Sequence, residues 1–261
     1  MITNKYIDNG KPFDWGRVSD EYAKYRDIYP EEFYRRIHSY GICTKGQRVL
    51  DLGTGTGVIP RNMYRFGAQF TAADISPEQI EYAKTLSEGM NIDYICASAE
   101  EINFPEKSFE AITACQCYWY FDNRTVSQKA HEMLKDSGKL VFLSMAWLPF
   151  EDEIAGKSED LILRFNPDWS GCGEVRHDIW IADDYLKYFH VKENTTFLCD
   201  VPFTRESWNG RIKACRGIGA SLPQDAIDRF EKEHMKMLNK YPESFTVKHF
   251  CAICIMEKKK L

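Results

Sequence analysis

The chain has 261 residues, 44% hydrophobic, 14% aromatic and 28% charged, which excludes disordered, collagen-like and low-complexity classes. Lys and Arg total 34 against 39 Asp and Glu, a formal net charge of −5, so the broad positive footprint of a phosphate-backbone binder is missing and no nucleic-acid partner is expected. Met1 to Trp15 has no apolar core of signal-peptide type, and the greasiest run, Leu140 to Phe150, is far shorter than a membrane span; a soluble, cytoplasmic protein with no membrane partner is expected.

In chain order, Gln47 to Leu52 reads as a short strand ending in Gly53-Thr54-Gly55-Thr56-Gly57, and Ile59 to Phe66 has helical spacing. Ala68 to Ile75 is a second strand. Ser76-Pro77-Glu78-Gln79 opens a helix, with Ser76 as N-cap and Pro77 at the first helical position. Asn91 to Cys96 and Ser108 to Cys115 are strands three and four. Asp122 to Lys135 reads as a helix stopped by Asp136-Ser137-Gly138, and Lys139 to Ser144 as strand five. Ala146 to about Thr195 has weak periodicity and reads as an insertion over the sheet. Phe197 to Phe203 and Phe245 to Met256 are the last strands, with helices over Arg205 to Ile218 and Pro223 to Asn239 between them. Strands alternating with helices mean βαβ units: an α/β protein with a doubly wound, mostly parallel sheet. The expected segments are 1–40, 41–145, 146–196 and 197–261.

Nine cysteines, an odd number without a secretion signal, point to reduced thiols. Cys251-Ala-Ile-Cys254 lies in an alternating run that reads as a strand, where residues three apart face opposite ways and cannot share a metal. No metal is expected. Cys115 and Cys117 read as small hydrophobes sharing one strand face.

The glycine turn selects the ligand. A dinucleotide fold asks for G-x-G-x-x-G, whose third glycine would fall at position 58, which is Val58. Here the third glycine comes one residue early and Asp51 precedes the turn. A carboxylate there suits a ligand with a positive group better than a pyrophosphate. Asp74, at the end of the next strand, suits a ribose. S-adenosylmethionine has both features, while a nicotinamide cofactor is the competing reading.

Asp51-Leu-Gly53-Thr54-Gly55-Thr-Gly57 resembles motif I of the class I S-adenosylmethionine-dependent methyltransferases, and Asp74 resembles their ribose-binding acid. Ala97-Ser98-Ala99-Glu100-Glu101-Ile102-Asn103-Phe104-Pro105 is similar to their adenine-wrapping segment. The resemblance implies a seven-stranded Rossmann-like sheet with an antiparallel last strand. It also implies backbone contacts from Gly53, Thr54 and Gly55 to the methionine moiety, with Asp74 on the ribose, Ile75 on adenine, and Ala99 and Glu100 at the adenine edge. Ser98 stands where relatives often carry Asp. Tyr22-Ala-Lys-Tyr25-Arg26-Asp-Ile-Tyr29-Pro30 and Cys115-Gln116-Cys117-Tyr118-Trp119-Tyr120-Phe121-Asp122 resemble a branch that includes the trans-aconitate carboxyl methyltransferases. By that resemblance Tyr25 and Arg26 cover the cofactor, Cys115 and Gln116 lie beside it, and Tyr22 meets the acceptor.

Trp119 replaces the branch's His, which removes an imidazole base from that position. A pre-ionised acceptor such as a carboxylate needs no base. The expected function is therefore methylation of a small molecule, a carboxylate in the first instance, yielding S-adenosylhomocysteine. Tyr118 and His177 are the candidate bases should one be needed. Arg211 is the candidate fork for a carboxylate, and Trp119, Trp147 and Trp180 are candidate walls of the acceptor pocket. Methylation of RNA or protein, and non-catalytic cofactor binding, are the alternatives; a monomer or homodimer is expected.

Overall fold

The computed structural model describes residues 3–260. The chain forms two compact units, neither continuous in sequence. One comprises Tyr29–Met145, His177–Phe197 and Cys251–Leu261; the other comprises Met1–Ile28, Ala146–Arg176 and Leu198–Phe250.

The first unit is built on a sheet. The sheet's strands are β1 (Arg48–Leu52), β2 (Gln69–Asp74), β3 (Ile92–Cys96), β4 (Phe109–Cys115), β5 (Leu134–Trp147), β6 (Phe189–Thr204) and β7 (Ser244–Lys258), in the order β3-β2-β1-β4-β5-β7-β6. Of these the first unit holds β1 to β4 and residues 134–145, 189–197 and 251–258 of the last three strands. Parallel pairing places Leu50 beside Thr71 on one side and Ile112 on the other. β1 is central and covered on both faces, which is why Val49, Leu50 and Leu52 read as a nearly continuous apolar run and are buried. β7 is antiparallel. Lys259 N donates to Tyr188 O (2.9 Å), so the chain beyond the end of β7 lies beside the start of β6, and Arg205 N meets Glu243 O (3.0 Å) at the opposite ends of the two strands. This is the mostly parallel sheet that the alternation of elements implied, with the seven strands and Rossmann-like form that the resemblance implied.

The helices are α1 (Ser19–Tyr25), α2 (Glu31–Ser39), α3 (Val58–Met63), α4 (Pro77–Leu86), α5 (Asn123–Met133), α6 (Glu153–Phe165), α7 (Asp183–Tyr188), α8 (Arg205–Lys213) and α9 (Gln224–Leu238). The expected cap of α4 is present, with Gln79 N donating to Ser76 Oγ at 3.3 Å. Asp122 caps α5 in the same way, through Thr125 N at 2.8 Å.

Three boundaries differ from the sequence reading. The helix expected to reach Lys135 stops at Met133, and Asp136-Ser137-Gly138 lies within β5, not in a turn. The register passes from Phe109↔Leu134 to Ala111↔Lys139, so turn-forming residues are accommodated as an irregular bulge. β6 begins at Phe189, eight residues before the apolar run that announced it. It is an edge strand, and exposed His190 and Lys192 mask its alternation. The helix from Arg205 ends at Lys213, because Gly219 folds back to place its N–H on Lys213 O (3.1 Å). Among the described residues no helix is long and apolar enough to cross a membrane.

The second unit contains α1, α6, α8 and α9. Tyr25 of α1 lies against Gly210 of α8 so closely that a Cβ at 210 would enter its ring. Buried Asp8 accepts from Arg216 Nε (2.7 Å), Ser170 N (2.8 Å) and Ser170 Oγ (2.9 Å), which ties the N-terminal segment to residues over 160 positions away.

Candidate functional site

The site grows from the end of β1. Gly53, Gly55 and Gly57 all have positive φ (63°, 56° and 76°), a region costly for residues with a Cβ. Gly53 is doubly constrained: a Cβ there would lie 2.6 Å from Cys117 Sγ. The loop is laced to β2, since buried Thr54 donates its N–H to Ala73 O (2.9 Å) and Gly55 N donates to Asp74 Oδ2 (2.8 Å).

Asp74 Oδ1 accepts a second backbone bond, from Ser76 N at 2.9 Å. Burial raises this carboxyl's pKa, opposed by the backbone N–H groups of Ser76, Gly55 and Ile75. Next to it Ile75 is 54% exposed, an apolar surface at the carboxyl end of the sheet. Ala97 N donates to Asp74 O (3.0 Å) and brings in the segment after β3. There Ser98 N and Oγ both bond to Glu101 Oε2 (3.2 and 3.1 Å), and Ala99 is buried. Glu100 Oε1 accepts from Asp122 N (2.8 Å), and Lys129 Nζ bonds the carbonyls of Glu100 (2.5 Å) and Ile102 (3.1 Å).

Asp51 behaves differently from Asp74. It is 1% exposed, and Thr113 Oγ1 of β4 donates to its Oδ1 at 2.5 Å. Burial pushes its pKa up to about 6, the Thr113 hydrogen bond opposes this, and the Asp74 charge adds to it. Asp51 therefore acts on the loop through its field and not by surface contact.

At the end of β4, Cys115 Sγ lies 3.2 Å from Tyr29 Oη, and Gln116 Nε2 donates to the same oxygen at 2.9 Å. Cys117 does not share a strand face with Cys115 as expected, because β4 ends at Cys115 and Gln116 turns the chain with φ +56°. Cys117 Sγ instead points at Leu52 O (3.1 Å), and burial pushes its pKa well up. Tyr118 stacks on Phe142 with centroids 4.6 Å apart, while Trp119 is 41% exposed.

The other sequence candidates lie elsewhere. His177 and Trp180 occupy the irregular stretch before α7; both are exposed, Trp180 to 76%. The second unit gathers Tyr22, Tyr25, Arg26, Trp147 and Arg211. Arg26 lies over the Tyr22 ring at 4.6 Å, Tyr25 Oη donates to Glu206 (3.0 Å), and buried Arg211 lies over Trp147 at 4.9 Å. Trp147 is fixed by its Nε1–H on Glu159 Oε1 (2.6 Å).

The sequence reading missed Tyr29, Thr113 and His249. Tyr29 stood inside a quoted motif without a role, and Thr113 was the lone hydroxyl in an apolar strand. His249 is buried on β7 with Nδ1 2.8 Å from Val247 O, and burial pulls its pKa down to about 3.

A family model described as a methyltransferase domain matches residues 50–142, the segment that runs from β1 through the glycine loop into β5. That match makes residues 50–142 a methyltransferase domain, and the chain is similar to class I S-adenosylmethionine-dependent methyltransferases. Among curated relatives, the ubiquinone biosynthesis O-methyltransferase of Xanthomonas axonopodis pv. citri is 32% identical over 126 residues, covering 47% of this chain and 53% of that protein. The enzyme of the same name from Bradyrhizobium diazoefficiens is 32% identical over 147 residues, 54% and 56% of the two chains. The chain thus spans about half the length of the curated relatives it matches. In fold it is similar to the Haemonchus contortus phosphoethanolamine N-methyltransferase 2, solved with S-adenosylhomocysteine (TM-score 0.54, 16% identity, 98% of this chain and 58% of that one).

The residues present suit the family's cofactor. Each Asp74 oxygen accepts one backbone N–H and keeps a further lone pair, which matches the two donors of a ribose diol. Exposed Ile75 offers an apolar face beside that carboxylate.

Proposed function

We propose that this chain is a small-molecule methyltransferase that uses S-adenosylmethionine, with a carboxylate oxygen as the acceptor. The observation that carries the reading is the lacing of the early-closing glycine loop to Asp74 through Gly55 N at 2.8 Å. In this reading Gly53 to Gly55 line the methionine end, Asp74 takes the ribose, Ile75 covers one face of adenine, and Ser98 to Glu100 meet its edge. When bound, the cofactor supplies an electrophilic methyl group on a sulfonium.

The protein's share of the work is orientation, worth roughly 7–11 kcal/mol when two reacting groups are held in line. A carboxylate is already ionised near neutral pH, so the lack of an imidazole at Trp119 is no handicap. The O-methyltransferase names of the curated relatives support an oxygen acceptor.

Titration calorimetry of the full chain with S-adenosylmethionine tests the cofactor reading. Asp74→Ala removes two charge-assisted bonds, and a loss of at least tenfold in affinity is expected; unchanged affinity refutes it. Release of S-adenosylhomocysteine with a panel of small mono- and dicarboxylates tests the acceptor.

A further inference from the structure

The chain leaves β4 through Gln116, a non-glycine residue in the left-handed backbone region (φ +56°). Such residues persist where their surroundings over-determine them, and they concentrate at functional sites. Here the surroundings are three hydrogen bonds. Gln116 N donates to Leu143 O at 2.9 Å, and Nε2 donates to Met145 O and to Tyr29 Oη, both at 2.9 Å. A carbonyl can only accept, so the Met145 contact settles which end of the carboxamide is nitrogen. Both amide hydrogens are then committed, and Oε1 is the group's one remaining polar atom. Among the described residues it has no hydrogen-bond partner, and it is not among the buried unsatisfied atoms, so it is open to solvent.

Tyr29 is what holds this orientation from the other side. Its ring stacks on buried Phe33 (centroids 4.9 Å apart, planes 16° apart) and its hydroxyl takes both the Gln116 amide and the Cys115 thiol. The corner also abuts the glycine loop, because Cys117 occupies the space that a side chain at Gly53 would need. The acid of that loop, Asp51, is sealed off and spent on Thr113. A cationic group arriving at the methionine end of the site thus meets no exposed carboxylate from Asp51, and the corner that abuts Gly53 presents Gln116 Oε1 as an open side-chain acceptor.

We propose that Gln116 Oε1 is the side-chain acceptor for the ammonium group of the cofactor's methionine moiety, and that Tyr29 is a positioning residue that holds it. The inference rests on the cofactor reading above. Tyr29 acts through Gln116 and touches no reacting atom.

The test is calorimetry of the full chain with two ligands, S-adenosylhomocysteine and its deamino analogue, which lacks only the ammonium. Gln116→Leu is expected to weaken S-adenosylhomocysteine at least tenfold and the deamino analogue less than twofold. Tyr29→Phe, which removes one oxygen and keeps the stacked ring, is expected to weaken the first ligand about threefold and spare the second. It also carries the test if Gln116→Leu fails to fold. Equal losses for both ligands in Tyr29→Phe or Gln116→Leu, or no loss in either, overturn the proposal and leave the cofactor reading standing. Failure of the unmodified chain to bind either ligand overturns the cofactor reading and this proposal with it.

Discussion

Asp51→Asn is expected to remove the loss of stability that the ligand-free protein suffers as pH rises through about 6, while weakening cofactor binding. The Asp51 carboxyl titrates at about 6 in the folded chain against an ordinary 3.8. The folded state therefore binds the proton more tightly than the unfolded state does, and stability attributable to this group is full below the unfolded value and lost as pH rises through about 6. The gap corresponds to about 3 kcal/mol, with about 1.4 kcal/mol of it falling between roughly pH 5 and pH 7.5. Asparagine cannot ionise, so that slope disappears, and Thr113 can still donate to its Oδ1. The new amide hydrogens carry their own burial cost, but this cost does not vary with pH. The measurement is urea unfolding of both proteins at several pH values, followed as the difference between them. That difference should move in favour of Asn by about 1.4 kcal/mol from pH 5 to 7.5. A constant difference across that range would mean that Asp51 is not the strained acid that its burial implies.

Gly53→Ala imposes a positive-φ penalty of about 1–2 kcal/mol and drives a methyl group into Cys117, so a loss of about 3 kcal/mol in chemical denaturation is expected. Cys117→Ala in the same chain should recover only part of it, because the backbone strain remains. Arg216→Gln leaves Asp8 buried without its guanidinium, and a loss of about 3–5 kcal/mol is expected by thermal or urea unfolding. Adding Asp8→Asn to that variant should return much of the loss; no recovery would mean that the guanidinium contributes by packing instead of charge.

What the sequence made legible was local in the chain. The run from Val49 to Gly57, the Ser76 cap and Asp74 at a strand end depend on neighbours a few residues away, and each is where the pattern placed it. What stayed hidden depends on distant partners. Asp51 reads in sequence as an acid facing the ligand's positive group, and only pairing of β1 with β4 brings Thr113, 62 residues on, to cover it. Tyr29 and Gln116 are 87 residues apart, so no window of sequence could join them. The start of β5 was hidden for a different reason. Asp-Ser-Gly is turn chemistry, and a bulge inside a strand uses the same chemistry. Edge position hid the first half of β6, where solvent-facing polar residues are what a sheet margin requires.

The two loop carboxylates bear on one another, and this gives binding a proton signature. Burial raises both, and the charge of Asp74 raises Asp51 further. A cationic ligand at the loop favours the ionised form of each and so lowers both values. Near pH 6 Asp51 is about half protonated in the free protein, and binding S-adenosylmethionine should expel up to about half a proton per site. By pH 8 Asp51 is already ionised and has no proton left to expel, so its contribution to affinity should climb through pH 6 and then level off. Calorimetry in buffers of different ionisation heat reads the released proton directly. Release at pH 6 should exceed that of Asp51→Asn, and the difference between the two proteins should vanish at pH 8. Equal release at pH 6 would assign the proton to another group, and the reasoning that places a strained acid behind the glycine loop would fail.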